Sequence, residues 1–289
     1  MTALEIPRGL RGDPQCRCIR LDILLFLSFL CLFAATSRVA GAGGPHGTVD
    51  LIADQNVVRP GHPFWAGLHF QMEEGWHIYW TNPGDSGEPP RVKWSLPPGF
   101  QAGPLEWPVP QRIADHSLID YGYQNEVLLP VKITPPVKIS SDVQLNAAVS
   151  WLVCREICVP GHADLVLTLP IRTGRPGPPS STYSLFAKAQ AELPPPAPKS
   201  WKVTADLDEH HFVLNVLTGK RETTATFFPL EPNQIENAAP QKASPLAHGI
   251  RIEMPKSDQM LKVPLRLRGV IKFASGQGYL LGAPVIASK

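Results

Sequence analysis

Charged residues are scarce in this sequence, and their signs are balanced. Only 18% of the 289 residues are charged, and the first 42 residues hold five basic and three acidic side chains, which leaves 22 of each sign in the rest. A neutral chain without basic runs lacks the electrostatic footprint of a nucleic-acid-binding protein. Nucleic acid is therefore excluded as a partner, whereas the apolar fraction of 43% is enough for a packed core.

Long apolar runs are missing after the N-terminus. The one long run, Ile23 to Ala35, is shorter than the ~20 residues that cross a bilayer as a helix. Arg17 and Arg20 precede it, and Ala40-Gly41-Ala42 follows it. A basic segment, a short apolar segment and a small-residue end predict a secretory signal peptide over residues 1–42, with an uncleaved anchor as the alternative. We therefore expect an exported, soluble mature protein.

Cysteine is rare as well. Three of the five cysteines, Cys16, Cys18 and Cys31, leave with the predicted signal peptide, so Cys154 and Cys158 form one possible pair. Exported proteins reside where disulfides form. No Ser-His-Asp order, phosphate-binding glycine loop or pair of carboxylates stands out, so the two cysteines are the sharpest chemical feature.

Proline, by contrast, is abundant, with 32 residues. Because proline removes a backbone donor and clashes with the preceding helical turn, long helices are excluded. Short apolar runs bounded by Gly, Pro, Asn and Asp extend from Thr48 to about Thr173, for example Phe64–Phe70 and Val143–Val153. This spacing predicts an all-β sandwich.

The predicted organisation has three parts after the signal peptide. A first β-sandwich domain covers residues 43–173. Residues 174–199 contain one helix near 182–193, capped by Ser180 or Ser181, and a stiff proline-rich linker. A second β domain covers residues 200–289.

The spacing of the cysteines constrains their geometry. On one flat strand, two residues four apart would lie roughly 13 Å apart, whereas a disulfide needs Cα atoms within about 7 Å. A disulfide therefore requires a reversal at Arg155-Glu156-Ile157, with the cysteines on facing strand ends. So short a loop constrains the unfolded chain little and makes a poor structural staple, which favours a labile, redox-active bond. A structural disulfide and metal ligation remain the alternatives.

Two long motifs resemble one protein family. They are the run Gly75 to Gly87, which reads G-W-H-I-Y-W-T-N-P-G-D-S-G, and the run Trp151 to Pro160, which reads W-L-V-C-R-E-I-C-V-P. Both are similar to the periplasmic N-terminal part of the DsbD/ScsB thiol:disulfide interchange proteins of Gram-negative bacteria. The resemblance runs from about residue 48 to the end and is strongest over 67–170. It is looser in the second half, at residues 263–270.

The resemblance implies two immunoglobulin-like β-sandwich domains and periplasmic thiol–disulfide interchange of the protein-disulfide reductase type. Cys154 and Cys158 would be the catalytic pair, with no bound cofactor. The implied partners are periplasmic thioredoxin-like or disulfide-bonded proteins. Because the sequence ends at Lys289 without a multi-helix membrane domain, we expect a separately encoded membrane electron donor.

The aromatic residues near the first motif have two interpretations. Trp76 and Trp80 fit a sandwich core. Alternatively, a shield over the cysteines or a partner-binding surface would use four aromatic residues: Trp76, Tyr79, Tyr121 and Tyr123. The turn at residues 82–87 is predicted to be structural because its residue types suit turns.

Two other functions stay open at this point. A copper-handling protein would use Cys154, Cys158 and His162, with Met72 or His77 as a further soft or nitrogen ligand. A pure binding module would keep the sandwich domains and dock a partner without redox turnover.

Overall fold

Two β-sheets form the N-terminal part of the structure. The computed structural model describes residues 42–139, 141–175 and 177–287. The first sheet has the order β1-β2-β3-β9-β6, with the strands β1 (Ala42–Gly44), β2 (Gly47–Ala53), β3 (Phe64–Met72), β9 (Glu126–Thr134) and β6 (Gln101–Leu105). The predicted signal peptide lies outside the described residues, apart from its last residue, Ala42.

The second sheet carries the cysteines. Its order is β11-β10-β4-β8-β7, and β5 also pairs with β10; the strands are β4 (His77–Gly84), β5 (Arg91–Ser95), β7 (Gln111–Asp115), β8 (Leu118–Gln124), β10 (Val143–Cys154) and β11 (Cys158–Leu169). Alternate residues of β10, from Val143 to Val153, are buried. Because successive strand residues point to opposite faces, these side chains fill the space between the two sheets.

The C-terminal part is a seven-stranded sheet. Its order is β14-β17-β18-β12-β13-β16-β15, and the strands are β12 (Lys202–Leu207), β13 (His211–Leu217), β14 (Ala225–Pro229), β15 (Lys242–Leu246), β16 (Gly249–Pro255), β17 (Arg266–Phe273) and β18 (Gly278–Ala287). The first part of β18 pairs with β17, and its last three residues pair with β12. β18 thereby joins two layers around a second core, and the all-β sandwich prediction is confirmed.

The predicted helix is present as α1 (Tyr183–Glu192), but the predicted cap is wrong. Its first turn has no side-chain cap. The hydroxyls of Ser180 and Thr182 instead donate to the carbonyl of Ala53, each at 2.7 Å, which ties the helix start to β2. Phe186 and Ala189 then pack with Ile52 and Leu128 on the outer face of the first sheet.

The proline-rich segment lies along a strand. Ala197 N–H donates to the carbonyl of Leu280 at 2.8 Å, and Leu280 N–H donates to the carbonyl of Pro195 at 2.9 Å. These bonds hold residues 195–197 parallel to β18. Within the described residues, no helix combines the length and apolar character needed to cross a membrane.

The two parts share apolar contacts. Phe228 on β14 and Val270 on β17 belong to the buried cluster of the N-terminal sandwich. The ring of Phe228 meets those of Tyr121 and Trp80 edge-on, with centroids 5.3 and 6.3 Å apart. The C-terminal sheet therefore packs directly against the strands β4 and β8, which lie beside the cysteine hairpin.

Candidate redox site

The hairpin formed by β10 and β11 brings the cysteines together. Its register runs from Val143 opposite Leu169 to Cys154 opposite Cys158. The Cα atoms of the cysteines are 4.2 Å apart, and the two residues form a disulfide. Arg155 N–H donates to the carbonyl of Ile157 at 3.1 Å and closes the three-residue reversal between them. The predicted position of the reversal is thus confirmed.

The two cysteines differ in exposure. Cys154 is only 2% exposed and lies opposite His77 on β4. Cys158 is exposed, and its neighbour Ile157 at the hairpin tip is 65% exposed. A protein approaching from solvent therefore reaches Cys158, while Cys154 is buried on the face of β10 opposite to Val153 and the sandwich core.

A series of side-chain contacts, here called the polar path, leads from Cys158 through Tyr79 and Ser86 to the buried Asp120. The Tyr79 hydroxyl lies 3.5 Å from Cys158 Sγ and 3.2 Å from Ser86 Oγ. Ser86 donates its hydroxyl to the carboxyl group of Asp120, at 2.9 and 3.0 Å to the two oxygens, and its backbone N–H donates to the same group at 3.1 Å. The exposed sulfur is thus connected by side-chain contacts to a carboxyl group that is 1% exposed.

His77 completes the buried polar cluster. Its Nε2 lies 3.3 Å from Asp120 Oδ2, close enough for an ion pair if the imidazole is protonated. The angles are not those of a hydrogen bond, and nothing in the described part of the chain bonds this atom with proper geometry. The His77 ring also meets the Tyr79 ring edge-on at 5.1 Å. The His77–Asp120 pair therefore contributes charge or packing rather than a directional hydrogen bond.

The structure separates the four predicted aromatic residues. Tyr79 contacts Cys158, and Trp76 directly precedes His77 and stacks on the ring of His46 at 3.5 Å. The hydroxyl of Tyr123 donates to the carbonyl of Pro108, and Tyr121 lies against Phe228. Tyr79 therefore contacts the sulfur of Cys158, while the shielding or partner-binding role of the four stays a prediction.

Burial dominates the ionisation of two of these side chains. Loss of solvent raises the pKa of Tyr121, and the nearby carboxylates of Asp85 and Glu236 raise it further, against the opposing effect of Arg112. Burial likewise raises the pKa of Tyr123 well above its ordinary value. Both hydroxyls thus stay protonated and available as hydrogen-bond donors.

The turn predicted as structural has a wider role in the structure. β4 continues to Gly84 through an irregularity in its pairing with β8, so the turn begins later than predicted. A Cβ atom at Gly87 would lie 2.0 Å from the Tyr79 ring, so the backbone there approaches the ring face closely. Ser86 and Gly87 therefore hold Tyr79 from two sides.

The same turn binds the C-terminal part. Asn82 donates to the carbonyl of Pro229 at 2.8 Å. Asn237 donates to Asp85 at 2.8 Å and accepts the Tyr121 hydroxyl at 2.8 Å, and its carbonyl accepts from Arg112. Sequence reasoning missed Ser86, Asp120 and Asn237 as parts of the site surroundings. The N-P-G-D-S-G run was the available signal for Ser86, and no local signal marked Asn237.

The copper ligand set is not assembled. His162 lies opposite Ser150, four residues along β11 from Cys158, and Met72 lies on the other sheet opposite Gly47. His77 alone of the added candidates lies beside a cysteine. Among the residues that the structure describes, no group of three or more His, Cys, Asp or Glu side chains is arranged to hold a metal ion.

Comparison with known proteins identifies the type of domain. Residues 48–170 match the family described as "Thiol:disulfide interchange protein DsbD, N-terminal". The solved N-terminal periplasmic domain of ScsB from Proteus mirabilis has a similar fold, with a TM-score of 0.64 and 17% sequence identity, over 86% of this chain and 97% of that one. No curated protein matches the chain. Residues 48–170, which include the Cys154–Cys158 hairpin, therefore match the N-terminal domain of the DsbD thiol:disulfide interchange proteins, and the chain shares its fold with the ScsB domain.

Proposed function

We propose that the protein relays electrons in the periplasm through reversible thiol–disulfide exchange at Cys154 and Cys158, with thioredoxin-like or disulfide-bonded proteins as partners. The observation that carries the proposal is the pairing of an exposed Cys158 with a buried Cys154 at a hairpin end. A labile disulfide needs one sulfur that a partner can reach. The buried sulfur then resolves the intermediate without competing for the partner.

The exchange runs in two balanced steps. In the reduced protein, Cys158 loses its proton to solvent, and its thiolate attacks a sulfur of the partner disulfide. The partner S–S bond breaks, its departing thiolate takes up a proton, and a mixed disulfide to Cys158 forms. Cys154 then loses its proton and attacks Cys158 Sγ. The Cys154–Cys158 bond forms, and the partner leaves with two electrons and two protons. A donor dithiol restores the reduced pair by the reverse sequence.

The first test is a redox titration in glutathione buffers, with free thiols counted by alkylation. We expect a reversible two-electron transition above roughly −300 mV, as for other exchange-competent pairs. A bond that stays oxidised across the whole range would contradict the proposal and indicate a structural disulfide.

The second test assigns the cysteines. The Cys154→Ser variant, incubated with glutathione disulfide, should accumulate an adduct on Cys158, whereas Cys158→Ser should form little adduct on the buried Cys154. Trypsin cleaves after Arg155, so the two positions fall on different peptides and are distinguished by mass. Equal adduct formation by both variants would overturn the assigned order.

The partner class is tested with thioredoxin. Reduced thioredoxin mixed with the oxidised wild-type protein should transfer two electrons and open the Cys154–Cys158 bond, whereas the double variant with both cysteines replaced by serine should leave thioredoxin reduced. Transfer that is no faster than with free glutathione would argue against a thioredoxin-like partner.

A further inference from the structure

The hydrogens of the polar path have a fixed direction. A serine hydroxyl has one hydrogen, and Ser86 donates it to Asp120, whose carboxyl oxygens lie at 2.9 and 3.0 Å. The backbone N–H of the same residue also donates to Asp120. With its hydrogen committed, Ser86 Oγ can only accept from the Tyr79 hydroxyl at 3.2 Å.

This direction decides how Tyr79 meets Cys158. If the hydroxyl hydrogen points toward Ser86, the lone pairs of the Tyr79 oxygen face Cys158 Sγ at 3.5 Å. A thiol can donate to such an oxygen, whereas a thiolate finds no donor there. A hydrogen bond made only by the neutral form of an acid favours that form.

We propose that Ser86 and Asp120 are positioning residues for exchange at Cys158: they turn the Tyr79 oxygen toward Cys158 as an acceptor and so keep the Cys158 thiol protonated in the reduced protein. This inference rests on the proposed exchange function and adds its regulation. The reduced pair is then poorly reactive toward small oxidants. A docking partner that displaces Tyr79 from Cys158 removes the restraint and exposes the nucleophile.

Other charged groups around Cys158 do not supply this restraint. On its own loop, Arg155 and Glu156 lie 3.8 Å from each other, and both are exposed, so their opposite charges largely offset each other in solvent. On β4 the neighbouring titratable groups are His77 and Tyr79, and on β8 it is Asp120, which His77 approaches at 3.3 Å. The Tyr79 hydroxyl contacts the sulfur directly.

The test measures the apparent pKa of the Cys158 thiol in the reduced full-length protein. The rate of alkylation by iodoacetamide is followed against pH on the tryptic peptide that begins after Arg155. In Ser86→Ala, Tyr79 loses the Ser86 oxygen as an acceptor, and its hydrogen can turn to the Cys158 thiolate. We expect alkylation at neutral pH to rise on the order of fivefold to tenfold, the effect of about one hydrogen bond moved between protonation states.

Epistasis distinguishes positioning from a general structural effect. In a Tyr79→Phe background, the Ser86→Ala change should leave the Cys158 alkylation profile unchanged, because no hydroxyl remains to reorient. Ser86→Thr, which keeps the hydroxyl, should restore the wild-type profile. Ser180→Ala, which removes a hydroxyl bonded to Ala53 at 2.7 Å, is the matched control and should not change it.

Two outcomes would overturn the proposal: an unchanged or slower alkylation of Cys158 in a folded Ser86→Ala protein, or an equal effect of Ser86→Ala with and without the Tyr79 hydroxyl. If Ser86→Ala fails to fold, Asp120→Asn replaces it, since an amide that donates to Ser86 also frees the serine hydrogen for Tyr79. The variant is compared with and without the Tyr79 hydroxyl, because the lost carboxylate charge acts on the thiol in both backgrounds and the reorientation in only one. Failure of the wild-type protein to exchange with glutathione or thioredoxin would instead remove the proposed function, and the alkylation profiles would still be readable.

Discussion

The N-terminal sandwich and the C-terminal sheet have similar architecture but different chemistry. The N-terminal part holds the disulfide hairpin and the polar path behind it, whereas none of the five cysteines lies in the C-terminal sheet. The C-terminal part nevertheless contributes Phe228 of β14 to the N-terminal core and Asn237, from the loop between β14 and β15, to the turn that holds Tyr79. A part that holds none of the cysteines can therefore still affect the geometry of the candidate redox site, because it packs against the residues that support Tyr79.

The largest expected effect is on the shared core. Phe228→Ala removes a side chain that is 2% exposed and contacts both Tyr121 and Trp80. We expect the free energy of unfolding in urea to fall by about 3–5 kcal/mol. Phe212→Ala, within the C-terminal core alone, should cost a similar amount. Only Phe228→Ala should also accelerate reduction of the disulfide by dithiothreitol under native conditions, and equal rates for the two variants would show that the parts are uncoupled.

The next effect compares one glycine from each part. Gly87 has a φ of 71°, and a Cβ there would lie 2.0 Å from the Tyr79 ring, whereas Gly219 has a φ of 91° and open space around it. Gly87→Ala should cost about 2–4 kcal/mol, from overlap with the ring plus the left-handed backbone. Gly219→Ala carries only the backbone cost of about 1–2 kcal/mol. Thermal unfolding measures both, and equal losses would mean that the turn yields without strain on Tyr79.

A smaller effect concerns the polar contact between the parts. Asn237→Ala leaves the buried Tyr121 hydroxyl and Asp85 without their 2.8 Å partner. An unsatisfied buried group costs about 1–3 kcal/mol. Asn215→Ala, which removes one 3.4 Å bond to Asp206 on a partly exposed strand, should stay within about 0.5 kcal/mol in the same urea titration. The reverse ranking would contradict a supporting role for Asn237.

The smallest effect appears only at high pH. The pKa of Tyr123 is raised by burial, and that of Tyr121 is raised mainly by burial, so the folded state keeps both protons when the unfolded state loses them. The contribution of the two tyrosines to the free energy of unfolding is fully present below the unfolded pKa of about 10. It is lost as the pH rises above that value, by about 1.4 kcal/mol per pH unit for each tyrosine. We measure the free energy of unfolding against pH. Above about pH 10, Tyr123→Phe should remove from its slope the part that comes from one tyrosine. A slope unchanged by the substitution would exclude its contribution.

The sequence predicted the long, alternating strands but missed the short, exposed ones. β10 follows from apolar periodicity because one of its faces is buried, and β3 follows from its apolar run, Phe64 to Phe70, whose core is buried on both faces. Strands β6 and β15 contain Pro104 and Pro245 and have no buried residue, and the start of β11 from Cys158 to Asp164 contains Pro160 and is mostly exposed. These segments are strands because a neighbour pairs with them, and pairing across the sequence leaves no local pattern.

The cysteine hairpin shows the same division within the site. Spacing alone required a reversal at residues 155–157, since two cysteines four apart cannot bond along one strand. Spacing did not reveal that Cys154 is buried and Cys158 exposed, because this difference depends on β4 lying beside β10. The predicted cap at α1 failed for a related reason: the hydroxyl of Ser180 donates to the carbonyl of Ala53, more than a hundred residues away in sequence, and accepts no N–H from the first turn of the helix.

The sequence by itself determined the all-β class and the position of the cysteine pair with the reversal between its members, because composition and spacing are local properties. The tertiary structure alone decided which sulfur is accessible, what Tyr79 contacts, and that Ser86, Asp120 and Asn237 belong to the surroundings of the site. The physical reason is that burial and hydrogen-bond direction depend on contacts between residues 7 to 152 positions apart, which only the packed sheets create.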